Sequence, residues 1–140
     1  MKMTNTSLAE LTELARKRGQ PFRILIVDDE QWIRDVFRDF CSLTGAFEVE
    51  LATDGAEALA KVKCREYDLV TMDLIMPEVS GLEALAEIKK ASPRMPIMVI
   101  TGNATEKLIR QAGVLGACRV MYKPIQLGDF LAEVSSALAR

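Results

Sequence analysis

The sequence contains no histidine. That absence excludes Ser-His-Asp and Cys-His catalysis, histidine-ligated zinc, and any phosphohistidine formed within this chain. If phosphohistidine chemistry occurs, the histidine belongs to a partner. Cysteine is scarce: Cys41, Cys64 and Cys118 are odd in number and lack metal-ligand spacing. They read as buried thiols in a reducing compartment. No apolar stretch approaches the roughly 18 residues of a membrane span. The opening Met1-Lys2-Met3-Thr4-Asn5-Thr6 also lacks the apolar region of a secretory leader. Both absences set the expectation of a cytoplasmic protein with no membrane partner. Excess charge of one sign is missing too. Eighteen basic residues against twenty acidic leave a net charge of −2, and outside Arg16-Lys17-Arg18 the basic residues are scattered. Nothing advertises nucleic acid.

What is present suits one ordinary domain. The chain has 140 residues, 49% apolar and 27% charged, enough to bury a core and too apolar for disorder. Ser7-Leu8-Ala9-Glu10 fits a capping box opening a short helix, with Leu8, Leu11, Leu14 and Ala15 toward one side and Gly19-Gln20-Pro21 ending it. Residues 1–21 therefore read as an N-terminal extension, either a loosely docked tail or a helix packed on the main domain or on a second copy of it, and 22–140 as that domain.

From Phe22 onward, strand-like and helix-like segments alternate. Phe22 to Val27 is an apolar run, and Asp28-Asp29-Glu30 follows at once. Ile33, Val36, Phe37 and Phe40 then recur at helical spacing, closed by Gly45. A second strand over Phe47 to Ala52 leads through Asp54-Gly55 to a helix carrying Ala56, Leu59 and Val62. The third strand, from Tyr67 to Met72, ends on Asp73 and breaks at Met76-Pro77 and Ser80-Gly81. Leu82, Leu85 and Ile88 mark a third helix, ended by Ser92-Pro93. A fourth strand over Pro96 to Ile100 stops at Thr101-Gly102-Asn103. Leu108, Ala112 and Leu115 mark the helix after it, which runs to Gly113 or Gly116. Cys118 to Tyr122 is the fifth strand and stops at Lys123-Pro124, before a last helix with Leu127, Phe130, Leu131, Val134 and Leu138 on one face. Five βα units in strict alternation predict an α/β fold, a doubly wound parallel sheet with helices on both faces.

Parallel strands place all their carboxyl ends on one edge, where open α/β sheets bind ligands. Asp28, Asp29, Asp73, Thr101 and Lys123 all stand at such ends. Three carboxylates together repel unless a cation sits among them, and Mg²⁺ suits a site of few carboxylates that must also take a phosphoryl ligand. Lys123 offers a point charge and Thr101 a hydroxyl donor for an incoming anion.

These pieces resemble the receiver domain of two-component response regulators. The matching stretches are Ile26-Val27-Asp28-Asp29-Glu30, Met72-Asp73-Leu74-Ile75-Met76-Pro77 with Gly81, Ile100-Thr101-Gly102, and Tyr122-Lys123-Pro124, within a similarity spanning roughly residues 22 to 139. The resemblance implies a flavodoxin-like strand order 2-1-3-4-5. It implies Asp73 as phosphoacceptor, and Asp28, Asp29, Asp73 and the backbone carbonyl of Ile75 as Mg²⁺ ligands. Thr101 and Lys123 would hold the phosphoryl oxygens, with Gly102 and Pro124 in support and a cis Lys123-Pro124 bond. It also implies a histidine kinase or histidine phosphotransfer protein as donor and a downstream protein as target. The chain would be a phosphorylation-dependent switch that assists only its own phosphorylation and dephosphorylation. The sequence names neither kinase nor target. It leaves open whether this is a free-standing receiver or a piece of a longer regulator.

Two positions depart from the family pattern. Val120 stands three places before Lys123, where relatives often carry an aromatic residue, so the usual coupling of threonine movement to an aromatic rotamer is left open. Ile75 is apolar at a place that is often polar. A phosphohydrolase of the haloacid dehalogenase type is the rival from another class. That family needs Asp-x-Asp after its first strand, whereas this chain has adjacent Asp28-Asp29.

Overall fold

Short runs rich in Val, Ile, Leu and Met, each bounded by turn residues, become strands because burial on both faces needs no polar alternation. The computed structural model describes residues 3–43, 45–76 and 80–138. Its elements in chain order are α1 (Met3–Arg18), β1 (Phe22–Val27), α2 (Gln31–Cys41), β2 (Phe47–Ala52), α3 (Gly55–Cys64) and β3 (Leu69–Met72). There follow α4 (Gly81–Ala91), β4 (Ile97–Thr101), α5 (Glu106–Val114), β5 (Arg119–Tyr122) and α6 (Leu127–Leu138). The sheet runs β2-β1-β3-β4-β5, and every neighbouring pair is parallel. This is the flavodoxin-like order.

Alternation along the strands divides the core in two. Leu25, Val27, Val70, Met72 and Val99 pack under Ala58 and Val62 of α3, Leu85 and Ile88 of α4, and Ala112 of α5. On the other face Ile24, Ile26, Met98 and Ile100 meet Ile33 and Phe37 of α2 and Phe130 and Val134 of α6. Phe37 stacks on Phe130 with ring centroids 4.7 Å apart. Among the described residues no helix is long and apolar enough to cross a membrane.

α1 packs along α6. Leu11 and Ala15 are buried with Phe22 and Ala46 in a small third cluster. Arg18 fastens its end, reaching Asp68 Oδ2 at 3.1 Å and lying 4.4 Å over the Phe22 ring.

Several local expectations change. α1 already runs from Met3, so Ser7 lies inside the helix and not at its start. The segment before Ser7 contains no Pro or Gly to break the helix, and short helices take their stability mainly from tertiary packing. Leu14 is exposed, and Ala15 is the residue that packs beside Leu11; the Leu8 side chain lies outside the described residues. α2 ends at Cys41 with Ser42 as its C-cap, four residues before Gly45. In α3 the N-cap Asp54, accepting from the Glu57 N–H at 2.8 Å, sets the helical phase so that Ala58 and Val62 face inward and Ala56 outward. α5 ends at Val114, with Gly113 inside it and Leu115 an exposed C-cap. Of the three cysteines only Cys41 is buried; Cys64, at the last position of α3, is exposed and Cys118 is half-buried. Pro77 lies outside the described residues.

Candidate functional site

Register brings the strand-end residues together. Val27 and Met72 are Cα partners in the sheet, so the next residues, Asp28 and Asp73, emerge side by side. The Asp73 N–H still donates to the Val27 carbonyl at 3.2 Å, and the Asp28 N–H to the Ala52 carbonyl at 3.2 Å. Both side chains are therefore held by backbone at their root. Asp28 is 2% exposed and Asp73 5%.

On β4, the strand next to β3, Thr101 pairs with Tyr122 of β5, and the Lys123 N–H donates to the Thr101 carbonyl at 2.9 Å. Lys123 then leans across β4 to the carboxylates. Its Nζ lies 2.8 Å from Asp28 Oδ2, 3.0 Å from Asp73 Oδ2 and 3.6 Å from Glu30 Oε1. The Lys123-Pro124 peptide bond is cis. Asp29, exposed in the loop, completes a cluster in which Asp28, Asp29 and Asp73 each offer an oxygen within 4.8 Å of the others.

The second oxygens are also occupied. Asp28 Oδ1 accepts from the Glu30 N–H at 3.0 Å, and Asp73 Oδ1 from the Ile75 N–H at 3.0 Å. Each is a short turn in which the carboxylate binds the backbone two residues on. The Ile75 N–H thus orients Asp73, while the Ile75 side chain is 46% exposed. Thr101 is fully buried, and its hydroxyl has no hydrogen-bond partner among the described residues. An unpaired buried hydroxyl costs free energy, which an arriving acceptor recovers.

The charges shift one another. Burial pushes the Asp28 carboxyl up, and the hydrogen bonds from Lys123 and the Glu30 backbone offset this only in part. Burial pulls the Lys123 ammonium down, but its bonds to Asp28 and Asp73 outweigh that and leave it raised. One cation faces three carboxylates. The oxygens and the residual negative charge fit a hard divalent cation of the Mg²⁺ kind.

Sequence reasoning gave no role to three contributors. Arg34, half-buried on α2, donates to the Asp28 carbonyl at 2.7 Å. Glu30 adds both its N–H and its carboxylate to the site. Gly81 is more than a turn residue: a Cβ there would stand 2.0 Å from the Asp73 carbonyl oxygen and 2.6 Å from the Leu74 Cα. The start of α4 therefore presses on the backbone of the strand end. A Gly in a Pro/Gly loop signals a turn, and nothing local signals that approach.

Val120 is half-buried and packs in the core beneath α5, whereas Tyr122, on the same face of β5, is exposed beside Thr101. Gly102 lies 3.8 Å, by an added Cβ, from the Lys123 side chain.

Comparison with known proteins agrees with this fold. The response regulator receiver domain family matches residues 24–135. The chain is 30% identical over 125 residues to the chemotaxis protein CheY of Treponema pallidum, covering 88% of this chain and 87% of that one. It is 36% identical over 121 residues to the response regulator MprA of Mycobacterium sp. strain KMS, covering 86% of this chain; it spans about half, 52%, of that relative. Among solved structures it is similar to a chain of the CheX-CheY-BeF3-Mg²⁺ complex from Borrelia burgdorferi. There the TM-score is 0.83 and the identity 27%, with 89% of this chain and 95% of that chain covered.

Proposed function

The chain belongs to the response regulator receiver family, and we propose that it takes a phosphoryl group from a partner's phosphohistidine onto Asp73. The observation that carries this is the convergence of Asp28, Asp29 and Asp73 around the ammonium of Lys123, with the Thr101 hydroxyl, unpartnered among the described residues, at the same sheet edge. The donor is a histidine kinase or histidine phosphotransfer protein, because no histidine exists in this chain. The setting is cytoplasmic, and the output is an altered contact with a downstream protein.

The chain's residues divide the work. The Ile75 N–H and Lys123 orient the two oxygens of Asp73. A carboxylate oxygen attacks phosphorus in line; the new O–P bond forms as the N–P bond to the donor imidazole breaks, leaving an acyl phosphate. Lys123 keeps its positive charge throughout and pairs with the phosphoryl oxygens. Thr101 gains the acceptor it lacks. Asp28 and Asp29, with Asp73 and the Ile75 carbonyl, would hold Mg²⁺, which when bound supplies Lewis-acid neutralisation of the phosphoryl oxygens. Gly81 couples the strand end to α4, and Thr101 leads directly toward α5. Charge added at Asp73 thus biases two helices at once.

Incubation with acetyl phosphate and Mg²⁺ tests the assignment, read by intact mass. One persistent adduct per chain is expected in the wild type and none in Asp73→Asn or Asp73→Ala, both of which keep the fold. Equal labelling of wild type and Asp73→Ala removes Asp73 from its role. Continuous turnover of many equivalents would mean a phosphohydrolase instead.

A further inference from the structure

α5 has two faces of opposite character. Ala112 is buried and Leu108 and Ile109 pack inward, as the core requires. Lys107, Arg110, Gln111 and Val114 follow the i, i+3, i+4, i+7 spacing of a single helical stripe, and all four are exposed. Val114 is 82% exposed although apolar. With Leu82 of α4 and Leu115, this stripe lines a groove of about 470 Å³ between the two helices.

The groove is graded along its length. Its apolar end is Val114 and Leu115, at the close of α5, while Leu82, in the first turn of α4, stands toward the sheet edge that holds Asp73. Its other end carries Lys107 and Arg110, one helical turn apart, and neither has an acidic partner among the described residues. Lys107 lies in the first turn of α5, the end nearer the sheet edge that holds Asp73, and Arg110 at its middle. Seven residues of helix separate Lys107 from Val114, about 10 Å at 1.5 Å per residue.

We infer that this groove docks an amphipathic helix of a partner protein that carries carboxylates one turn apart at one end and an apolar anchor two turns from the first. Charge complementarity selects the occupant: two cations without an acidic partner among the described residues, beside apolar Val114 and Leu115, leave a neutral or basic helix without a match and are too few to track a nucleic-acid backbone. Both walls begin at the site. Gly81, the first residue of α4, lies against the Asp73 carbonyl, and its N–H donates to the Leu74 carbonyl at 3.1 Å. α5 starts five residues beyond the end of β4 at Thr101, with Thr105 capping it through a 3.2 Å bond from the Leu108 N–H. The groove's width therefore follows the state of Asp73, a dependence that rests on the reading of Asp73 as phosphoacceptor.

The test uses the full chain, isotopically labelled for NMR, and two synthetic helical peptides. One has Glu at positions i and i+3 and Leu at i+7; its twin has Lys in place of both Glu. The Glu peptide should shift the amides of α4 and α5 that border the groove and bind at least tenfold more tightly than the Lys peptide. Val114→Lys, at a site exposed enough to leave the fold alone, should weaken it at least tenfold while acetyl phosphate labelling of Asp73 continues unchanged. Adding Mg²⁺ and beryllofluoride should change the Glu peptide's affinity at least threefold. Equal affinity of the two peptides, shifts elsewhere on the surface, or no binding overturns the docking site. Sedimentation showing a dimer that Val114→Lys dissolves also overturns it, by making the groove a contact between copies. Unchanged affinity with beryllofluoride, in protein that acetyl phosphate labels, overturns the dependence on Asp73.

Discussion

Replacing Lys123 by methionine keeps a stem of similar length and deletes the cation that bridges Asp28 at 2.8 Å and Asp73 at 3.0 Å. What remains is three carboxylates offering oxygens within 4.8 Å of one another. At an effective dielectric of about 20, two unit charges about 5 Å apart repel by about 3 kcal/mol. Removing one partner of a buried ion pair costs about 3–5 kcal/mol. Lys123 keeps 15% side-chain exposure, and a carboxylate can escape repulsion by taking a proton, so the lower end applies. We expect about 3 kcal/mol in urea unfolding without Mg²⁺, and a melting temperature lower by about 10 °C for a chain of this size. Mg²⁺ should narrow the deficit. A ligand at 100 times its dissociation constant stabilises by about 2.7 kcal/mol, and the variant has no ammonium for the ion to displace, so it should gain more than the wild type. Acid should narrow it as well. Burial raises the Asp28 carboxyl in the folded protein, so its ionised form costs stability at neutral pH, and that cost is relieved as pH falls through the raised folded value. Losing Lys123 enlarges the cost and hence the relief. A deficit under about 1 kcal/mol at neutral pH, or one unchanged by excess Mg²⁺ and by acid, would refute the electrostatic account and leave Lys123 a packing residue.

Gly81→Ala should lose about 3 kcal/mol, the upper end for overpacking, because the atoms its Cβ meets are backbone and cannot yield; full stability in urea would show that the α4 start is free to move. Tyr67→Phe should cost about 1.5 kcal/mol by removing the 2.7 Å bond from the phenol to Glu50 Oε1. Burial pushes the Glu50 carboxyl up, but the bonds from Tyr67 and Arg65 outweigh it and hold it low. That stabilisation is present above the unfolded value and lost as pH falls through the folded one, so the two unfolding curves should converge in acid; a gap independent of pH contradicts the bond. Leu11→Ala should cost about 2–3 kcal/mol and Leu14→Ala under about 0.5 kcal/mol, since only Leu11 is buried against the domain. Equal small effects in thermal melts would make α1 a loosely attached helix.

Much of the fold was written in local pattern. Segments from Phe22, Phe47, Tyr67, Pro96 and Cys118, largely apolar or alternating and each ending at polar or turn residues, mark the strands because a chain alternating with amphipathic helices has few other ways to bury them. The missing histidine is equally a fact of sequence, and it excludes any phosphohistidine formed within this chain. The resemblance carried by Asp28-Asp29, Asp73, Thr101 and Lys123 named the strand order that the sheet then showed.

Tertiary structure alone decided which groups touch. Lys123 and Asp28 are 95 residues apart in sequence, and they meet only because β1, β3 and β4 lie side by side and the lysine reaches across. The same ordering leaves the Thr101 hydroxyl buried without a partner among the described residues, presses Gly81 on the Asp73 carbonyl, and packs Val120 half-buried on the core while Tyr122 stands exposed. Ala15 rather than Leu14 packs beside Leu11 because the docking of α1 on α6 sets its rotation, and α1 has too weak an apolar stripe to set it alone. Helical and strand periods are properties of neighbours in sequence. Contacts between elements depend on how those elements close around a shared core, and no local pattern records that closure.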